Sequence, residues 1–329
     1  MTIAPQNIMA PGSSLTLEHL YKITLGQMGY APSSLPDSLF FTFCGDLLGS
    51  SGEHYEKGHA VTFINAVCRA SHTFSDDFME SLAMAQMCDT VYGLDLSTLM
   101  KVRDVFYDLL KGHFEKASLT YSPWFRPLFE SGTKEEYLKI IAGHASCGAA
   151  MRAAVLGAMD IPSATVAPLL FCSHAHPEAV EGGYFVYGFA REAVKGTGFP
   201  AALQAGFKAA DEGWALACDF LAGHGLKGEG QRLQPLYDKV RRTEDPYATI
   251  TDIAEEGIET RFVVPAALSL VERACQLPAD KGVAHVVEGA LLIGGDPDTI
   301  CSIAMGLYGL VAGADVRQAL SSILIPEKS

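Results

Sequence analysis

Basic residues are scarce in this chain: 24 Lys and Arg stand against 38 Asp and Glu among 329 residues, a formal net charge of −14. A field of that sign repels phosphate backbones, and no run of Lys and Arg builds a local basic patch, so nucleic acid is excluded as a partner. Charge of either sign is thin, at 19% of residues, while 49% are apolar, enough to bury a large core. Long apolar runs are nevertheless missing. The longest uncharged stretch near the C-terminus, 300–314, is too short and too interrupted by glycine for a membrane span. The eight cysteines, at 44, 68, 88, 147, 172, 218, 275 and 301, contain no CxxC pair and no zinc-ligand spacing. Most lie inside apolar helical patterns and read as reduced core residues rather than a disulfide framework. Met1 to Asn7 lack a basic segment followed by an apolar one, so no secretory signal is expected and the expected location is the cytoplasm.

Period-2 alternation bounded by turn residues is absent too, which argues against a sheet. Apolar residues recur instead at helical spacing, over 15–28, 39–49, 76–92, 98–110, 134–142, 149–159, 162–171, 178–194, 200–221, 249–257, 265–276, 282–292 and 298–311, with a final turn at 316–324. Proline stands near helix starts at 162, 177, 200, 265 and 297, where its missing N–H has no helical partner to lose. Ser97 and Gly112 are expected to start and stop one helix, and 121–132, with Pro123, Trp124 and Pro127, reads as a loop. Gly45 and Gly49, four apart in an apolar run, predict a buried helix whose backbone is closely approached. Residues 1–37 differ in composition. Prolines and Ser pairs bracket one amphipathic stretch there, read either as a helix packed on the domain or as an arm that contacts a partner. The expected fold class is all-α: roughly a dozen helices in a single domain over 38–325, after an N-terminal extension at 1–37.

Polar chemistry gathers in four clusters. The most specific is Gly294-Gly295-Asp296-Pro297-Asp298-Thr299, two carboxylates with one residue between them and a hydroxyl after them. Oxygen donors of this kind suit hard cations such as Mg2+ or Mn2+ and suit zinc or copper poorly. Taken alone, the motif reads equally as an N-cap at Asp296 with Pro297 at the first helical position. A second acidic pair, Ser75-Asp76-Asp77, also stands before a helical run, and two such clusters can form opposite walls of a two-metal site. The third runs from Gly45 through Asp46 to Glu53. The fourth is Ser146-Cys147-Gly148-Ala149-Ala150-Met151-Arg152, followed by Ser173-His174-Ala175-His176-Pro177.

In this order the clusters resemble the motifs of the ADP-ribosylglycohydrolase family, which includes the dinitrogenase reductase-activating glycohydrolase and the ADP-ribosyl-acceptor hydrolases. The resemblance covers Leu39 to Gly313. The late Gly-Gly-Asp-x-Asp-Thr motif is complete, Gly45 to Glu53 matches Gly-Asp-x-x-Gly-x-x-x-Glu, and Gly148 to Arg152 matches Gly-small-small-Met-Arg. It implies a compact multi-helix orthogonal bundle. It also implies two Mg2+ or Mn2+ ions held by Ser75, Asp76, Asp77, Asp296, Asp298 and Thr299, next to the ribose hydroxyls at the scissile bond. Glu53, Asp77 and Asp296 are the implied catalytic carboxylates, with Glu53 as general acid/base or as a flap ligand. The implied substrate cradle comprises Ser146, Cys147, Gly148, Ala149, Met151, Arg152 and His174, with Gly294 and Gly295. Two positions depart from the family pattern: Cys147 stands where asparagine is common, and Phe78 where a second hydroxyl is usual. The implied activity is metal-dependent removal of ADP-ribose from a protein side chain, arginine favoured, so the expected ligand is an ADP-ribosylated protein or ADP-ribose. A reading of another class is an immunity or antidote protein that blocks a cognate ADP-ribosyltransferase through residues 1–37.

Overall fold

Helices make up nearly all the regular structure of the computed structural model, which describes residues 14–31, 35–50, 62–69, 75–90, 96–117, 125–242 and 257–326. The first half holds α1 (Leu17–Met28), α2 (Asp37–Gly49), α3 (Phe63–Arg69), α4 (Asp76–Thr90), α5 (Leu99–Ala117), α6 (Phe125–Glu130), α7 (Lys134–Gly143), α8 (Gly148–Met151) and α9 (Ala153–Ala158). The second holds α10 (Ser163–Phe171), α11 (Pro177–Ala193), α12 (Phe199–Gly223), α13 (Leu233–Arg241), α14 (Thr260–Ala274), α15 (Ala279–Ile293), α16 (Pro297–Ala312) and α17 (Ala314–Ser321). Among the described residues the strands are β1 (Ser14–Thr16) and β2 (Leu324–Pro326), which pair antiparallel. The all-α expectation is borne out, and no described helix is long and apolar enough to cross a membrane. Cys44, Cys88, Cys147, Cys172, Cys218, Cys275 and Cys301 are free thiols, and all of them but Cys218 and Cys275 are buried.

Two helices without a solvent face, α11 and α16, form the centre. α11 packs along α12 on one side and against α9 on another, while α16 lies along α2. The second pairing depends on the absence of side chains at two positions. A Cβ at Gly45 would stand 2.4 Å from the Cys301 carbonyl oxygen, and one at Gly49 would stand 2.6 Å from the Asp298 Cα. Both obstacles are backbone, so no rotamer change relieves them. Alanine would gain about 1 kcal/mol of helix propensity, but prising two buried helices apart costs about 1–3 kcal/mol and occasionally more. Three backbone atoms within 2.8 Å of a Cβ at Gly45 put the cost at the top of that range, so Gly45→Ala is expected to lower stability in urea melts by a net of about 2 kcal/mol. An unchanged midpoint would show that the two helices do not need this contact.

α1 packs on the bundle, with the Tyr21 ring centre 5.4 Å from Phe40, 5.3 Å from Phe43 and 6.2 Å from Phe78. Phe78, the departure from the family pattern, thus fills the core instead of facing the polar site. Four local expectations differ from the structure. α5 runs through Gly112 to Ala117, because His113 and Phe114 are buried and their packing outweighs the propensity cost of one glycine. Part of 121–132 forms α6, which buries Leu128 and tolerates Pro127 in its first turn. The helix expected over 149–159 breaks at Arg152 (φ −97, ψ −3), whose side chain turns inward. α14 begins five residues before Pro265, because Thr260 is held in place: its N–H donates to the Ala145 carbonyl (3.0 Å) and its hydroxyl to the Ser146 carbonyl (2.7 Å). Of the helix expected over 249–257, all but Gly257 lies outside the described residues.

Candidate functional site

Asp46, buried in α2, positions the first acidic motif. Its carboxylate accepts the backbone N–H of Ser75 (2.8 Å) and of Phe78 (3.0 Å), so a side chain from one helix satisfies the orphan donors at the start of another. That leaves the Ser75 hydroxyl to accept the Asp77 N–H (3.2 Å) and donate to Asp77 Oδ2 (3.2 Å). Thr299, from the late motif, donates its hydroxyl to the same Oδ2 at 3.0 Å. The two motifs, 222 positions apart, meet on one carboxylate. The other oxygen of Asp77, Oδ1, is buried and has no partner.

The glycine pair of the late motif turns the chain between α15 and α16, with φ of 67° at Gly294 and 81° at Gly295, values that favour glycine. Asp296 then occupies the N-cap position and Pro297 the first helical one, as expected from sequence. The Asp296 side chain makes no capping bond, however. It turns to the cavity and accepts the Cys147 S–H at 3.2 Å. Cys147, which replaces the usual asparagine, thus keeps a polar contact at this point.

A cavity of about 420 Å³ opens between these motifs and the fourth cluster. Its wall includes Asp76, Asp77, Asp296, Asp298 and Thr299 from the acidic motifs, and Ser146, Cys147, Gly148, Met151 and His174 from the expected cradle. The other sequence-predicted residues lie off the wall. Ser75 sits behind Asp77, Ala149 is buried against Gly183 of α11, and Arg152 is 0% exposed behind the wall. Gly294 and Gly295 form the turn that carries Asp296, with Gly295 backed by Gly257. Glu53 lies outside the described residues. The rim is stitched by Cys147 N–H to the Ile258 carbonyl (2.9 Å), which brings Ile258 and Glu259 to the cavity. Glu80, His144, Ser173 and Glu259 line it as well. Glu80 had a legible signal, since it falls three and four positions after the acidic pair and so on the same helix face. No spacing marks Glu259.

Six carboxylates line the cavity, with Asp46 buried behind them, and among the described residues no Lys or Arg lines it. Burial, followed by the charge of Asp298, pushes Asp46 up to about 8 and Asp76 up to about 6. The same two causes hold Asp77 and Asp296 well above the usual carboxylate range. These folded values exceed the unfolded one of about 3.9. The stability contributed by the protonated forms is therefore complete below about pH 4 and lost as pH rises through about 6 and then about 8. The metal-free protein is expected to melt at progressively lower temperature from pH 5 to pH 8.5. A flat profile would mean that the cluster ionises at no cost. Among the described residues no group of three or more His, Cys, Asp or Glu is arranged to hold a metal ion as it stands. In kind the donors fit a hard cation: they are all oxygen, one is a buried carboxylate oxygen without a partner, and among the described residues no cationic side chain on the cavity wall neutralises them.

The sequence model for ADP-ribosylglycohydrolase matches residues 37–322, the whole span from α2 to the end of α17. No individual curated protein matches the chain. Because that match covers most of the chain, including both acidic motifs and the segment 146–152, the chain belongs to the ADP-ribosylglycohydrolase family.

Proposed function

We propose that this protein removes ADP-ribose from a modified protein side chain, with arginine the favoured acceptor and Mg2+ or Mn2+ required. One observation carries the reading: hydroxyls from both acidic motifs converge on Asp77, whose remaining oxygen is buried without a partner in a carboxylate-walled cavity. Ser75, Asp76, Asp77, Asp296, Asp298 and Thr299 would hold two ions, which when bound offset the carboxylate charge and orient oxygen ligands of the substrate. The rest of the work falls to the chain. Ser146, Cys147 and Gly148 line the same cavity, where Cys147 touches Asp296, and would receive the diphosphate. Hydrolysis breaks the bond between the anomeric carbon and the acceptor atom, water oxygen takes its place, and the acceptor leaves with a proton. Asp296 on the cavity wall and Glu53 are the candidates to accept the proton of the attacking water, provided that they come within hydrogen-bond reach of it.

The test offers arginine-linked and serine-linked ADP-ribosyl proteins separately, after exhaustive chelation and again after Mg2+ or Mn2+ is restored. Release of ADP-ribose from the arginine-linked protein alone, and only with metal, is expected. Release after complete chelation contradicts the metal requirement, and release from the serine-linked protein alone moves the acceptor. Added Mn2+ is also expected to remove most of the fall in melting temperature towards pH 8.5, because a bound cation favours the ionised carboxylates.

A further inference from the structure

Behind the cavity wall, the buried Arg152 guanidinium divides its hydrogen bonds. Nη1 donates to Glu80 Oε2 and to the Gly148 carbonyl, both at 2.6 Å. Nη2 donates to the Ser173 hydroxyl oxygen and, at 3.4 Å, to the Leu170 carbonyl. Ser173 Oγ lies 2.7 Å from His174 Nδ1, and His174 Nε2 lies 2.8 Å from Ser146 Oγ. A continuous line of hydrogen bonds thus joins a buried cation to a hydroxyl on the cavity wall.

Its direction follows from which groups can donate. A guanidinium has donors and no acceptor, so Ser173 Oγ accepts from Arg152 and must send its own proton elsewhere. His174 Nδ1 is the strong acceptor within reach. The neighbouring Cys172 sulfur is a weak acceptor and gives its own S–H to the Leu169 carbonyl at 3.0 Å. A ring nitrogen that accepts carries no proton, so the neutral imidazole carries its proton on Nε2 and donates it to Ser146 Oγ. Burial, and then the Arg152 charge, keep the ring neutral by lowering its pKa well below the usual value. The ring is also fixed in place: a Cβ at Gly148 would stand 2.6 Å from His174 Cε1, so only glycine lets the loop lie against it. Having accepted from His174, Ser146 has its own O–H free to point outward.

We propose that Ser173, held by Arg152, is a positioning residue that fixes His174 as the Nε2–H tautomer and so makes the Ser146 hydroxyl a hydrogen-bond donor into the cavity. A donor at that point selects an oxygen that can only accept, which on the proposed function is a phosphoryl oxygen of ADP-ribose; the ligand assignment rests on that reading.

The test uses the full chain with 15N-labelled histidine, at about pH 8 where the ring is neutral. Long-range proton–nitrogen spectra show which ring nitrogen carries the proton. The parent is expected to carry it on Nε2, and a parent protonated on Nδ1 overturns the proposal without recourse to any variant. Ser173→Ala, which removes the donor to Nδ1, is expected to shift the proton towards Nδ1; an unmoved proton overturns the positioning role. Ser146→Ala is expected to leave the tautomer unchanged and to weaken ADP-ribose binding about ten-fold by calorimetry. Unchanged affinity overturns the selection of a phosphoryl oxygen. If the parent binds no ADP-ribose, the proposed function fails separately. Inorganic pyrophosphate is then the probe, and the Ser146→Ala loss is read on it in the same way.

Discussion

Asp298→Asn is expected to make the metal-free protein more stable while removing its hydrolase activity. The charge of Asp298 raises the pKa of Asp46, Asp76, Asp77 and Asp296, which identifies it as a shared source of repulsion in the cluster. Asparagine keeps the shape, removes that charge and adds an N–H2 that neighbouring carboxylates can accept from. Relief of the repulsion is expected to add about 1 kcal/mol, a rise in melting temperature of about 1–2 °C for a domain of this size. Activity is expected to fall about 100-fold or more, since the lost carboxylate is one proposed to hold the ions. The opposite signs make the prediction discriminating. A fall in both quantities would mark Asp298 as an ordinary structural residue, and full activity in a stabilised variant would remove it from the site.

Arg152→Met is expected to be among the most damaging single changes in the chain. Arg152 and Glu80 are both 0% exposed and 2.6 Å apart. Burial raises the Glu80 pKa and the guanidinium opposes that rise. Without Arg152, Glu80 is left as a buried acid with no counter-charge, which costs about 3–5 kcal/mol. Replacing both residues with methionine removes the desolvated pair together, so Glu80→Met/Arg152→Met is expected to recover most of that loss. Urea melts of the two singles and the double give the coupling directly. A near-neutral Arg152→Met would show that the pair contributes nothing to the fold. The double variant also lacks the donor to Ser173, so it is expected to regain stability without regaining the parental tautomer of His174.

Much of the site was legible because its signals are local. Asp76, Asp77, Asp296 and Asp298 stand at helix starts, where an acidic residue after glycine or serine marks a boundary as well as a ligand, and the structure places all four on one cavity. Gly45 and Gly49 announced the close approach of another backbone, though not that it would belong to Cys301 and Asp298. What stayed hidden depends on contacts distant in sequence. The Cys147–Asp296 contact spans 149 positions and leaves no local trace. The break at Arg152 is set by a buried partner on α4, while apolar periodicity reads straight through it. The early start of α14 before Pro265 is decided by two carbonyls more than a hundred residues upstream. Ser173 was grouped with His174 by sequence, but its role depends on which way one proton points.

The most direct measurement is release of free ADP-ribose from an arginine-ADP-ribosylated protein in Mn2+, comparing the parent with Asp296→Ala and Asp298→Ala. Release by the parent and its loss in both variants, each still folded, is the predicted result. A folded, Mn2+-bound parent that releases nothing, or variants that release at the parental rate, would contradict the assignment of this carboxylate-walled cavity as the hydrolytic site.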